Sequence, residues 1–325
     1  MNVLIRLQAL LNDPSVVLNE EVQSLWSGYG QIIRCKSKAT QQSYIVKVIT
    51  PNEAGDHPRG WNTSTSHQRK LKSYQVEANF YQHYAHVTDE HSKVPKLIAS
   101  SVTTECTLLV MEDLDSTGYT ERKGSVPASE IQWQDLANAI KWLAYFHARF
   151  MGDKGNKLWS VGTYWHLATR QDELSAMPDS AYKSKASSID DVLKKATFQT
   201  LIHGDAKFEN LCFHPNGEDV AAVDFQYVGR GAGVKDLMYL VGSCLNEDKL
   251  IAYDALILDE YLKHLKKALM HYKSTLNFEA ICKETKILYP VAWADFYRFL
   301  LGWNPESWKI CDYMKKKSVV GLTLL

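Results

Sequence analysis

The stretch that most constrains this chain is residues 201–226, LIHGDAKFENLCFHPNGEDVAAVDFQ. An apolar lead-in, Leu201-Ile202, runs into His203-Gly204-Asp205. Asn210 follows five residues after Asp205, and Asp224 fourteen after Asn210, at the end of the apolar run 220–223. An Asp, an Asn and a strand-end Asp in this order are what phosphoryl transfer from Mg-ATP calls for. One carboxylate orients or deprotonates the acceptor hydroxyl, while an amide oxygen and a second carboxylate hold the metal against the phosphates. Taken singly, Asp205 also reads as a turn cap after Gly204, and Asp224 as a strand-end turn residue. Their order and spacing carry the phosphotransferase reading.

With 325 residues the chain can bury one large or two moderate cores. Lys+Arg and Asp+Glu both number 37, so there is no electrostatic footprint for nucleic acid or for an acidic membrane surface. The six cysteines, at 35, 106, 212, 244, 282 and 311, show no Cys-x-x-Cys and no metal-ligand spacing. Reduced thiols fit a cytoplasmic protein. The opening MNVLIRLQAL is a short apolar run interrupted by Arg6, and no uncharged run reaches membrane-spanning length, so no membrane association is expected.

Residues 3–25 read as a helix broken at Asp13-Pro14. Gly28 and Gly30 follow in a hairpin whose amides either approach phosphates or simply close a β-turn. The run SYIVKVIT (43–50) is β-branched and apolar on both faces, hence a buried strand interrupted by Lys47. Such a lysine needs an anionic partner unless it reaches water at an edge. Residues 51–72 read as a polar loop with a basic cluster of Arg59, Arg69, Lys70 and Lys72. The helix 73–87 supplies the anion. Glu77 lies in one stripe with Phe80, Tyr81 and Tyr84, which predicts a Lys47–Glu77 ion pair holding the lysine on nucleotide phosphates; the alternative is a Glu at the stripe's rim. Strands are expected at 96–102 and 107–114, the second ending in Glu112-Asp113-Leu114, where exposed backbone groups suit an adenine edge.

From 115 onward the pattern turns helical. Leu136, Ile140, Leu143, His147 and Phe150 mark a central buried helix, with His147 read as a hydrogen-bonded core residue. Gly229, Gly231 and Gly233 read as a tight loop. Asp236 either caps the next helix or bonds back to the loop around His203. Residues 249–317 read as four helical segments, with Asp295 and Arg298 a surface pair. Aromatics at 159–165 and 293–308 are mostly core, with one or two rings available to line an acceptor pocket.

HGDAKFEN and VDFQ resemble the H-G-D-x-x-x-x-N and D-F motifs of the aminoglycoside phosphotransferase/choline kinase superfamily, and most closely its ecdysteroid-kinase-like branch, over roughly residues 25–310. The resemblance implies an α+β, bilobal protein-kinase-like fold. Its small antiparallel-sheet lobe (1–113) carries one helix and binds the nucleotide, a hinge lies near 112–115, and a large mostly helical lobe (114–325) holds the catalytic and acceptor sites. It implies ATP and Mg²⁺ as cofactors, Asp205 as the catalytic Asp and Asn210 and Asp224 as metal ligands. Lys47 would contact the α- and β-phosphates with Glu77 behind it, Gly28 and Gly30 would belong to the nucleotide loop, and Glu112 and Leu114 would border the adenine. Lys207 resembles the catalytic-loop lysine of protein kinases. The chain departs from the pattern in its glycine-poor nucleotide loop and in Gln226, which stands where protein kinases have the glycine of D-F-G.

Only twelve residues separate Asp224 from Asp236, too few for a long activation segment, whereas 89 separate Leu114 from His203, enough helix to wall in a small acceptor. Both favour a small-molecule alcohol (choline-, aminoglycoside- or steroid-alcohol-like) over a protein. A nucleotide-binding pseudo-kinase scaffold is the rival from another class; the full set of Lys47, Glu77, Asp205, Asn210 and Asp224 argues against it.

Overall fold

The computed structural model describes residues 2–25, 28–50 and 64–325. The chain is α+β, with about half of it helical, and divides into two compact units. The first comprises residues 1–87 and 94–120, the second 88–93 and 121–325.

The first unit is an antiparallel sheet of five strands in the order β1-β2-β3-β5-β4, where β1 is Val16–Ser24, β2 Gly30–Ser37, β3 Ser43–Ile49, β4 Leu97–Val102 and β5 Thr107–Glu112. Successive side chains of a strand point to opposite faces. Tyr44, Val46 and Val48 of β3 therefore join Ile33, Cys35, Leu108 and Val110 in a core that Leu7 of α1 (Val3–Leu11) covers. Lys47 and Ile49 point to the other face, where Ile49 packs with Leu25, Tyr29 and Tyr74. Tyr74 belongs to α2 (Ser64–His83).

Two expectations change here. Residues 3–25 are not one broken helix. Asn12 takes a left-handed conformation that ends α1, and Val16–Ser24 is an edge strand paired along β2 with two bulges. Every position from Leu18 to Ser24 is exposed, Leu18 and Val22 along with Glu20 and Glu21, so the segment lacks the apolar alternation that announces a strand. The loop expected over 51–72 gives way to α2 from Ser64; residues 51–63, Arg59 included, lie outside the described residues.

The second unit is built on α3 (Trp133–Arg149), most of whose residues are buried. Short helices α4 (Gln171–Ala176), α5 (Ala181–Ser184) and α6 (Ala186–Lys194) precede two small antiparallel ladders. One joins β6 (Gln199–Ile202) to β9 (Gly229–Ala232), the other β7 (Leu211–Phe213) to β8 (Val220–Ala222). Of the three glycines expected to form a tight loop, Gly229 and Gly231 are thus strand residues, and Gly233 precedes α7 (Val234–Cys244). Gly229 lies against the backbone of Trp159, where a Cβ would overlap its carbonyl oxygen, so glycine is required by close approach rather than by a turn.

Four helices complete the unit: α7 (Val234–Cys244), α8 (Glu247–His271), α9 (Phe278–Trp303) and α10 (Asp312–Thr323). Beyond 247 there are therefore three helices, not four, because α8 and α9 run uninterrupted for 25 and 26 residues. Asp295 and Arg298 are not a surface pair. Both are about 1% exposed, and Asp295 takes Arg298 at 2.9 Å, Lys235 at 3.2 Å and the Trp165 indole N–H at 3.0 Å. Lys235 comes from α7 and Trp165 from the 159–166 segment, so one carboxylate ties three elements together. Among the described residues no helix is long and apolar enough to cross a membrane.

Candidate active site

Segment 159–164 is the frame of the site. Trp159 and Gly162 bond the backbone of 228–230, and the Trp159 indole donates to Gln226 O at 2.8 Å. Thr163 N donates to Tyr227 O at 3.2 Å, and Tyr164 N to Gly204 O at 3.1 Å. The two loops that follow β6 and β8 are thereby held from one side. Gly204 itself has φ +81°, and a Cβ there would overlap Tyr227 O, so only glycine fits between His203 and Asp205.

From the other side the loop is held by Asp236, fully buried in the first turn of α7. Its Oδ2 accepts from His203 N at 2.6 Å and its Oδ1 from Gly204 N at 2.9 Å. Of the two roles expected for Asp236, bonding back to the loop is the one observed. His147 of α3 adds a third contact, Nε2 to Asp236 Oδ2 at 3.1 Å, while its Nδ1 meets the Tyr261 hydroxyl at 2.9 Å. A carboxylate can only accept, so Nε2 carries the proton and Nδ1 accepts from Tyr261. His147 is thus a hydrogen-bonded core histidine.

His203 ties the Asp205 loop to the Asp224 strand. Its Nε2 lies 2.9 Å from Val223 O and must donate to it, which leaves Nδ1 to accept Asp205 N at 3.3 Å. The ring packs 4.6 Å from Phe225.

Asp205, Lys207, Asn210 and Asp224 are brought together on this frame. Asn210 Nδ2 donates to Asp205 Oδ2 at 3.1 Å and to Asp205 O at 2.9 Å. Both partners are acceptors, so the amide orientation is fixed and Oδ1 turns away from Asp205 as an oxygen ligand for another group. Lys207 Nζ stands 3.5 Å from Asp205 Oδ2 with about a third of its side chain exposed. Asp224 has φ +67°, and Gln226 Nε2 donates to its Oδ1 at 2.8 Å. The sequence marked Gln226 only as a departure; here it orients the Asp224 carboxylate.

Burial raises the Asp205 carboxyl above the ordinary carboxylate range; Lys207 opposes this, and the charge of Asp224 adds to it. The Asp205 charge in turn raises the Lys207 ammonium. A carboxylate lifted in this way is better matched to accept a proton near neutral pH. Among the described residues no group of three or more His, Cys, Asp or Glu could hold a metal ion. Asn210 Oδ1 and the Asp224 carboxylate are oxygen donors of the kind a hard cation takes.

One residue that sequence reasoning missed borders Asp205, next to a ring of the aromatic stretch 159–165. The Tyr239 hydroxyl from α7 lies next to its carboxylate, and Tyr164 next to Tyr239, with ring centroids 5.4 Å apart. Burial raises both phenols. Tyr239 sat unmarked in the apolar run of α7.

In the first unit Lys47 Nζ pairs with Glu77 Oε2 at 2.6 Å, both side chains buried. Gly30 (φ +135°) lies against Val48 O where no Cβ fits, and the Gly28 N–H donates to Leu25 O at 3.3 Å, so both glycines are used by the turn. Glu112 closes β5, its N–H on Lys96 O at 2.9 Å. Leu114 is buried and its carbonyl accepts from Tyr119 N at 3.0 Å. Asp113 between them is buried too, bonded to Arg34 at 2.9 Å and Ser43 at 2.6 Å.

The chain is similar to the ecdysteroid kinase-like family, of the protein-kinase-like phosphotransferases, whose model matches residues 158–274. The matched stretch opens with the 159–164 frame and contains Asp205, Lys207, Asn210, Asp224, Asp236 and Tyr239. No curated protein matches the chain. The family match points to a kinase-type enzyme.

Proposed function

We propose that this chain is an ATP- and Mg²⁺-dependent phosphotransferase that phosphorylates a hydroxyl of a small molecule. The observation that carries the reading is the Asp205–Asn210 contact. One side chain holds the base by its amide N–H and keeps its amide oxygen on the side away from the base, where it would serve as a metal ligand. Asp205 takes the acceptor's proton. Asn210 Oδ1 and the Asp224 carboxylate hold the metal, which when bound neutralises the β- and γ-phosphates. Lys207 steadies charge on the transferred group, and Lys47, kept in place by Glu77, steadies the α- and β-phosphates. The fold in this reading is protein-kinase-like, with residues 1–113 as the nucleotide lobe, Gly28, Gly30, Glu112 and Leu114 at its nucleotide site, and 114–325 as the catalytic lobe. Six free cysteines, four of them buried, support a reducing, cytoplasmic setting.

A small acceptor is favoured over a protein because the residues from Asp224 to Asp236 are taken up by β9, its pairing with β6 and the start of α7. They leave no long segment to receive a peptide. The test is Mg-dependent ATP binding by thermal shift, then ATP turnover over a panel of alcohols, with Asp205→Ala as control. Turnover that needs Mg²⁺, an alcohol and Asp205 is expected. Mg-ATP binding with no turnover, identical in Asp205→Ala, would sink the enzyme reading.

A further inference from the structure

Lys309, in the connection between α9 and α10, stands beside the same site and was not singled out by any motif. Its ammonium lies 5.3 Å from the centroid of Tyr239, 6.0 Å from Phe296 and 5.9 Å from Trp308. Tyr239 is the ring whose hydroxyl adjoins Asp205. Among the described residues Lys309 has no ion pair. Its backbone N–H is the only donor with a partner, Ser307 Oγ at 3.4 Å. Burial pulls its ammonium below the ordinary lysine range, the Asp205 charge opposing this and Lys207 adding to it.

Three rings around a cation form the box by which proteins hold quaternary ammonium ligands. Here the protein fills that box with its own charge. Tyr239 and Phe296 are buried, so the face that this cluster turns to an acceptor whose hydroxyl reaches Asp205 is the ammonium of Lys309, not an empty aromatic cage. A like charge there is repelled, whereas an oxygen acceptor gives the half-buried ammonium an ion-pair or hydrogen-bond partner.

We propose that Lys309 is the specificity-determining residue of the acceptor site, and that the acceptor is an alcohol bearing a neutral or anionic oxygen group and not an amine cation. The assignment rests on the phosphotransferase reading and narrows it, setting choline-like and aminoglycoside-like acceptors aside.

Three probes of one shape test it. Choline, 3,3-dimethylbutan-1-ol and 2-hydroxyethanesulfonate each carry a primary hydroxyl two carbons from a tetrahedral head, with charge +1, 0 and −1. They are compared in one sample by saturation-transfer NMR on the full chain with Mg²⁺ and a non-hydrolysable ATP analogue, and separately as phosphate acceptors. The expected order is sulfonate, then neutral alcohol, then choline, on the order of tenfold or more separating the ends. Lys309→Met flattens the order, Lys309→Glu inverts it and Lys309→Arg preserves it, which a merely structural lysine would not do. Equal occupancy by all three, choline in first place, or an order unchanged in Lys309→Met would overturn the proposal. If the order holds while wild type and Asp205→Asn consume ATP alike, the phosphotransferase reading fails and the assignment of Lys309 stands. Asp205-dependent transfer without the order gives the reverse.

Discussion

Asp236 accepts the backbone N–H of His203 at 2.6 Å, thirty-three residues away in sequence and two before Asp205. With Gly204 N at 2.9 Å on its other oxygen, this carboxylate sets the backbone from which Asp205 projects. Asp236→Ala leaves two loop amides and His147 Nε2 without an acceptor in a dry site, a loss of about 3 kcal/mol or more in denaturant unfolding. Because the bonds of Asp236 go to the His203-Gly204 backbone and His147, Mg-ATP affinity should hold while kcat falls roughly 100-fold through misplacement of Asp205. An unchanged kcat at reduced stability would make Asp236 structural only.

Asp205 itself should show the opposite pattern. Burial disfavours its ionised form, so the folded state bears a cost for the charge at neutral pH. Asp205→Asn removes that cost and keeps the shape. Its melting temperature should stay level or rise while turnover falls by roughly 10²- to 10⁴-fold. A clear drop in melting temperature would contradict the burial argument.

The acid limb of the rate profile reports the same group. Since the folded Asp205 carboxyl is raised, kcat/KM should decline with acid above the ordinary carboxylate range. Lys207 holds it down, so Lys207→Met should move that limb to higher pH. A limb that stays put on this substitution would show that Lys207 does not act on Asp205.

Lys47 and Glu77 make a buried pair at 2.6 Å, and the pair is asymmetric to mutation. Glu77→Ala leaves an ammonium without its carboxylate in the interior, at a cost of about 3–5 kcal/mol in urea unfolding, and should abolish the thermal shift given by Mg-ATP. Lys47→Met leaves a buried carboxylate that can take up a proton and is expected to cost less.

Asp295 carries a pH dependence of stability. Lys235 and Arg298 overcome burial and hold its carboxyl at about 2, below the ordinary 3.8. For a depressed acid the stabilisation is complete above 3.8 and disappears as pH falls toward about 2. Acid unfolding in that window should be shallower in Asp295→Asn, which starts from lower stability at neutral pH. Parallel acid curves for the two proteins would remove Asp295 from the account.

What the sequence could reveal follows from how local each signal is. The company of Asp205, Asn210 and Asp224 was legible because all three lie within twenty residues, on a turn between short apolar runs. The Lys47–Glu77 contact was legible from two periodicities, one strand and one helix, each carrying a charge where only apolar residues belong. β1 was not legible, because an edge strand with two bulges, exposed from Leu18 to Ser24, has no alternating pattern to show. Asp295 with Arg298 looks like any surface pair at i, i+3. Its burial depends on Lys235 and Trp165, 60 and 130 residues distant. Lys309 is a lone lysine beside a tryptophan, and only the chain's return to Tyr239 gives it a neighbourhood.

The site is thus supported from two separate stretches of chain. Residues 159–164, 203–226 and 236 brace the groups on and around Asp205, while Trp308 and Lys309 come from the connection between the last two helices, outside that frame. Selection on the second set can alter which alcohol is accepted without disturbing the first.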